Sequence, residues 1–215
     1  LFRSNDTATT EIYTIALAEH LELARFDVLG FSGGGPHALA IAAGLPERTG
    51  KLVLISSWAP FEQTGMEGMD EGLQELWNLG RTDFAAFREA LTGAVEESGG
   101  AWAMMTDTAP EYDRAILESN PVREHYRRNL DESTRQGCAG MTADAHALVQ
   151  PWPFSLMSIK APALIRHGEQ DRNAPVVMGR WLAHQLQDVD YHEWPGTMHF
   201  AAFRRWPEIL DRLQG

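Results

Sequence analysis

Cysteine is almost missing from this sequence: Cys138 is the only one in 215 residues. A disulfide framework within the chain is therefore excluded, and a reducing, cytoplasmic setting is the expectation. Cys138 lies between Gly137 and Ala139 with no neighbour to activate it, so it reads as a small buried hydrophobe. Basic charge is also scarce. Eighteen Lys and Arg face 30 Asp and Glu, a formal net charge of −12, whereas nucleic-acid binding needs clustered cations on phosphate. No apolar run approaches the ~20 residues of a membrane span, and no signal-peptide pattern opens the chain. Neither a nucleic-acid nor a membrane partner is expected. A metal site is not expected either, because no His-x-x-x-His or clustered carboxylate spacing occurs. An initiator Met is lacking too. The chain starts at Leu1 and reads as a processed product or part of a longer one.

What is present is a globular composition, 44% hydrophobic, arranged in two sheet-like stretches separated by a helical one. Thr9 to His20 carries Ile12, Ile15 and Ala16 at helical spacing. Phe26 to Leu29 is a short apolar strand, Pro36 to Ala43 a helix of small residues, and Lys51 to Ser56 a second strand. Together they form a βαβ unit with parallel strands. From Trp58 to about Gln150 the periodicity is helical: Leu73, Leu76 and Leu79; then Phe84, Phe87, Leu91 and Val95, with Thr82 as N-cap; then Tyr112, Ile116 and Leu117; then a polar helix over Val122 to Gln136. Acidic residues concentrate here and read first as a solvated face. Strands resume at Pro162 to Arg166 and Val189 to Trp194, around a helix at Val176 to Leu186, and a last helix lies near Pro207 to Leu213. The expected divisions are 1–57, 58–150 and 151–215: core, helical insertion, core.

Chemistry concentrates where those strands end. Gly30-Phe31-Ser32-Gly33-Gly34 is Gly-x-Ser-x-Gly set between a strand and a helix, the context that puts a serine on a tight, exposed turn. The loop lacks the spacing and Lys of a P-loop, and it is not the Gly-x-Gly-x-x-Gly dinucleotide fingerprint, so no phosphate or nucleotide cofactor is implied. A serine hydroxyl becomes nucleophilic when a base takes its proton and an acid fixes the base's tautomer. Asp171 follows the third strand and His199 the fourth, in the order nucleophile, acid, base. Glu169 is the competing acid. His192 falls within a strand, and His37 precedes the order that the base should follow. His20, His125, His146, His167 and His184 have no comparable setting.

These motifs resemble the capped α/β-hydrolase superfamily, especially bacterial serine hydrolases with a Ser-Gly-Gly-Gly-Pro turn. Ser32 to Pro36, Pro151 to Phe154, Arg166 to Asp171 and Pro195 to His199 carry the likeness in the family's order. The resemblance implies an α/β fold, a partial parallel sheet flanked by helices with an inserted helical cap. It implies no cofactor, a small-molecule acyl substrate, and hydrolysis through an acyl-enzyme on Ser32, with the Gly33 amide in the oxyanion hole. Aspartate at the elbow would have implied dehalogenase or epoxide hydrolase chemistry. Acid in the insertion suggests neutral or cationic substrates.

One family element has no counterpart. The second oxyanion donor comes from a loop after an earlier strand, and only a helix precedes the Ser32 strand here. Two expectations follow. The strand at Phe26 to Leu29 should form an apolar edge open to another chain, including a second copy in a homo-oligomer. The rival to a serine hydrolase is a non-catalytic binding protein or an inactive fragment.

Overall fold

The computed structural model describes residues 16–214. Most of the helix expected over Thr9 to His20, with Ile12 and Ile15, lies outside these residues; residues 16–20 are helical. Four strands form a single parallel sheet in chain order: β1 (Phe26–Phe31), β2 (Thr49–Ile55), β3 (Ala163–Gly168) and β4 (Val189–Trp194). Because side chains alternate across a strand, β2 faces two ways. Leu52 and Leu54 pack with Ile165 against helix α1 (Gly34–Gly44) through Leu39. Helix α8 (Val176–Gln185) covers the same face through Met178 and Leu182. Val53 and Ile55 turn the other way, joining Leu164 and Trp194 under Ile209 of α9 (Trp206–Gln214). Burial of each such side chain stabilises the fold by about 1.5–3 kcal/mol relative to exposure. The α/β architecture is thus the one that the strand and helix spacing implies.

Between β2 and β3 a short turn at Phe61–Thr64 leads into six helices: α2 (Glu71–Thr82), α3 (Phe84–Glu97), α4 (Ala101–Thr108), α5 (Glu111–Leu117), α6 (Val122–Ser133) and α7 (Ala139–Leu148). Two of these, α4 and α7, are not legible as periodic stripes. The first is eight residues long, and the second is rich in alanine with few large apolar residues. The N-cap expected at Thr82 belongs instead to Asp83, whose side chain accepts from the Ala86 N–H. Thr82 closes the preceding helix, its hydroxyl donating to the Asn78 carbonyl. Asp70 caps α2 in the same way, through the Gly72 N–H. Part of the acid in this segment therefore compensates helix N-termini.

β1 is an edge strand, pairing with β2 alone among the described residues. Its Leu29 lies in register with Val53 and is 41% exposed. Among the described residues, no helix is long and apolar enough to cross a membrane.

Candidate active site

Strand β1 ends in a turn with almost no freedom. Ser32 has φ of 54°, the left-handed region that L-residues rarely occupy. Its N–H donates to the Ile55 carbonyl at 2.9 Å, and its carbonyl accepts from the Gly35 N–H at 3.0 Å. Two glycines make this turn possible. A Cβ on Gly30 would collide with the Gly34 carbonyl and stand 2.6 Å from the Gly35 Cα, and one on Gly35 would land on the Ser57 hydroxyl. Gly34, the second glycine of the motif, faces open space. The close approach of the helix to the chain just after β2 is therefore made at Gly35, not at Gly34.

The turn carries Ser32 to His199. The Ser32 hydroxyl donates to His199 Nε2 at 2.9 Å, and His199 Nδ1 donates to Asp171 Oδ2 at 2.8 Å. Three side chains separated by up to 167 positions thus form one hydrogen-bonded chain. The hydrogen-bond network assigns the imidazole its Nδ1–H tautomer. His199 and Asp171 are buried, with Phe31 against the imidazole at 5.0 Å between ring centroids. Burial works against the protonated ring, but the Asp171 charge and hydrogen bond, with the Asp113 charge, hold His199 above the ordinary imidazole value. Burial likewise opposes the Asp171 carboxylate, but the His199 charge and hydrogen bond, His167 and the Ala174 N–H hold it below its usual range.

Asp171 is fixed on its other side. Its Oδ1 accepts from the Asn173 and Ala174 N–H groups, both at 2.8 Å. Glu169, the competing acid, is exposed and accepts from the Gly196 N–H at 2.9 Å, so it braces the turn before His199 from outside. His192 is exposed on β4, and His37 is half-buried on α1.

Gly33 is the N-cap of α1, where the first helical N–H groups lack partners within the helix. That end is suited to an oxyanion. A Cβ at Gly33 would stand 2.8 Å from Leu148 Cδ1, so α7 closes over the turn. Among the described residues no strand precedes β1, and a second donor from such a loop is not among them. No group of His, Cys, Asp and Glu among the described residues is placed to hold a metal ion. An open groove of about 740 Å³ runs along α6, away from Ser32, between Arg123, Arg127, Arg128 and Arg135 and their acidic neighbours. Its ion pairs, Arg128–Glu124, Arg127–Asp131 and Arg135–Glu132, are surface pairs worth little.

Two residues of this region escape sequence reasoning. His167 at the end of β3 is fully buried under the acid loop, its Nε2–H donating to the Ala174 carbonyl at 2.6 Å. Burial lowers its pKa, and its Nδ1 has no hydrogen-bond partner. Asp113 on α5 is also buried and reaches the backbone at His199. The sequence signal for it was an acid inside an apolar stripe, next to Tyr112 and three residues before Ile116.

No family model matches the chain. It is 28% identical over 194 residues to the 2-hydroxy-6-oxononadienedioate/2-hydroxy-6-oxononatrienedioate hydrolase of Burkholderia vietnamiensis, covering 90% of this chain and 62% of that one. It is 27% identical over 188 residues to the pimeloyl-[acyl-carrier protein] methyl ester esterase of Nitrosospira multiformis, covering 84% and 64%. Among solved structures, the enol-lactonase of Burkholderia xenovorans LB400 superimposes with a TM-score of 0.64 at 20% identity, covering 99% of this chain and 74% of that one. The chain spans about three fifths of the length of the two curated relatives.

Proposed function

The chain belongs to the α/β-hydrolase superfamily, and on that premise we propose that it is the nucleophile-bearing part of a serine hydrolase acting on carboxylic esters or related acyl compounds. The observation that carries this reading is the continuous chain Ser32–His199–Asp171, with His199 and Asp171 buried and Ser32 half-buried on a strained turn. In the proposed reaction, Ser32 Oγ attacks the carbonyl carbon while its proton passes to His199 Nε2. The carbonyl π pair moves onto oxygen, which the Gly33 N–H stabilises. Collapse of the tetrahedral species expels the leaving group, which takes the proton from His199, and leaves an acyl-Ser32 ester. Water gives its proton to His199 as it attacks that ester, and the second tetrahedral species collapses by breaking its bond to Ser32 Oγ, which takes the proton from His199 as the acid is released. Asp171 keeps the imidazole in its working tautomer and stabilises the imidazolium. The helical segment from Trp58 to Gln150 acts as a cap; the contact of Leu148 with the turn supports this.

A fluorophosphonate probe tests the reading on both the 215-residue chain and the complete open reading frame that encodes it. Labelling that disappears in Ser32→Ala is the expected result. A folded protein from the complete frame that takes no label would overturn it and leave the binding-protein reading. A panel of p-nitrophenyl esters and 2-hydroxy-6-oxo-dienedioates then locates the acyl class.

A further inference from the structure

Asp113 sits on α5, a helix between β2 and β3, yet its carboxylate reaches the base. Oδ2 accepts from the His199 N–H at 3.2 Å and Oδ1 from the Phe200 N–H at 2.9 Å. It is only 2% exposed, and no Lys, Arg or His among the described residues lies within ion-pair distance of it. The surroundings are apolar: Ile116, Leu117 and Phe200 form the local cluster, with Tyr112, Tyr126 and Phe203 against it. A buried carboxylate without a cation is costly, and it persists where its hydrogen bonds are needed. Here those bonds hold the first two residues of the short helical turn His199–Arg204. The Ser56 hydroxyl donates to the His199 carbonyl at 3.3 Å, so the peptide backbone of the base is gripped on both sides.

We propose that Asp113 is a positioning residue for His199: a carboxylate lent by the helical insertion that fixes the backbone of the base and sets a second negative charge near its ring. This inference rests on the serine hydrolase reading for its role in turnover. The groups facing His199 are Asp171 and His167 from the β3 end and Asp113 from α5, while Tyr126 packs on the adjoining Phe200. Asp113 is itself held above its usual range, by burial first, with the Phe200 N–H and the His199 charge opposing. Its charge favours the imidazolium that forms during proton transfer. The base is therefore in register with Ser32 only while α5 is docked on the His199 turn.

Asp113→Asn is nearly isosteric, loses the charge, and turns an amide N–H toward one of the two backbone donors. Two readouts are taken on the complete reading frame: the His199 imidazole titration by NMR, and the pH profile of fluorophosphonate labelling at Ser32. The expected result is a His199 pKa lower than in the parent, with maximal labelling down about 10- to 100-fold, the scale of loss from slight misplacement of a reacting group. An unchanged titration with an unchanged labelling rate overturns the proposal. So does a lower melting temperature with parental titration and rate in the folded protein, since Asp113 would then be merely structural. Asp113→Glu keeps the charge and moves it: the His199 pKa should stay raised while labelling slows, and a parental rate overturns positioning even if the Asn variant fails to fold. If the parent takes no label, the hydrolase reading fails by itself, and the NMR titration of the variants still decides whether Asp113 sets the state of His199.

Discussion

Gly179 on α8 stands where it does because His167 fills the space beside it. A Cβ at position 179 would lie 2.5 Å from His167 Nδ1 and 3.0 Å from its Cγ, closer than packed atoms tolerate. The ring cannot retreat, because its other nitrogen holds the Ala174 carbonyl of the acid loop. Gly179→Ala should gain up to about 1 kcal/mol of helix propensity and lose about 1–3 kcal/mol to overpacking. The expected outcome is net destabilisation in urea titration, together with slower labelling of Ser32, because the Asp171 loop moves with the ring. A variant more stable than the parent with full labelling would show that the ring yields freely.

Asp171→Asn removes the acceptor for His199 Nδ1–H while keeping the shape of the loop. It should reduce kcat by about 10³- to 10⁴-fold, the cost of a mis-set tautomer, with a much smaller change in KM. Glu169→Gln, which alters only the outer brace on the Gly196 N–H, should cost less than about tenfold. Steady-state kinetics on the best ester of the panel separates the two carboxylates.

Activity and one part of stability should run in opposite directions with pH. The proposed reaction needs neutral His199, whose pKa is held above the ordinary 6.5 by Asp171 and Asp113, so kcat/KM should fall as pH drops through a value higher than 6.5. The raised pKa contributes stability that is fully present below 6.5 and lost as pH rises through the folded value. Asp171 is the reverse. Its depressed pKa contributes stability above the ordinary 3.8, lost as pH falls through the folded value. A pH–rate profile and denaturation midpoints across the same range check all three signs.

Gly33→Ala keeps the N–H proposed to face the oxyanion but drives a methyl toward Leu148 Cδ1. The backbone at position 33 is ordinary helix, so the penalty is steric alone. Labelling of Ser32 should slow in Gly33→Ala and recover in the double variant Gly33→Ala/Leu148→Ala. Additive effects in that double-variant cycle would show that α7 does not press on the turn.

We propose that the β1 edge, paired with β2 alone among the described residues, is a contact between copies of the 215-residue chain. Leu29→Lys places a charge on the exposed apolar face of the edge strand and should shift sedimentation toward the monomer, without altering labelling of Ser32. An unchanged sedimentation profile would remove this edge as a contact between copies.

The four strands and the turn at Ser32 are readable from residues alone, because short apolar strands and the turn chemistry around Ser32 are local properties of the chain. Val189–Trp194 is marked as a strand by its own alternation. Helices α4 and α7 lack a long stripe, so their existence rests on what packs around them: Ala101 against Val95, and Ala145 against Phe87 and Leu91. Strand order places both Asp171 and Glu169 after β3, and burial separates the two carboxylates, one inside against His199 and one outside against Gly196. What Asp113 and His167 bind is decided wholly by the tertiary structure. Their partners are the backbone N–H of His199, 86 positions away, and the Ala174 carbonyl, and no side-chain pattern records which main-chain groups a fold will bring within reach.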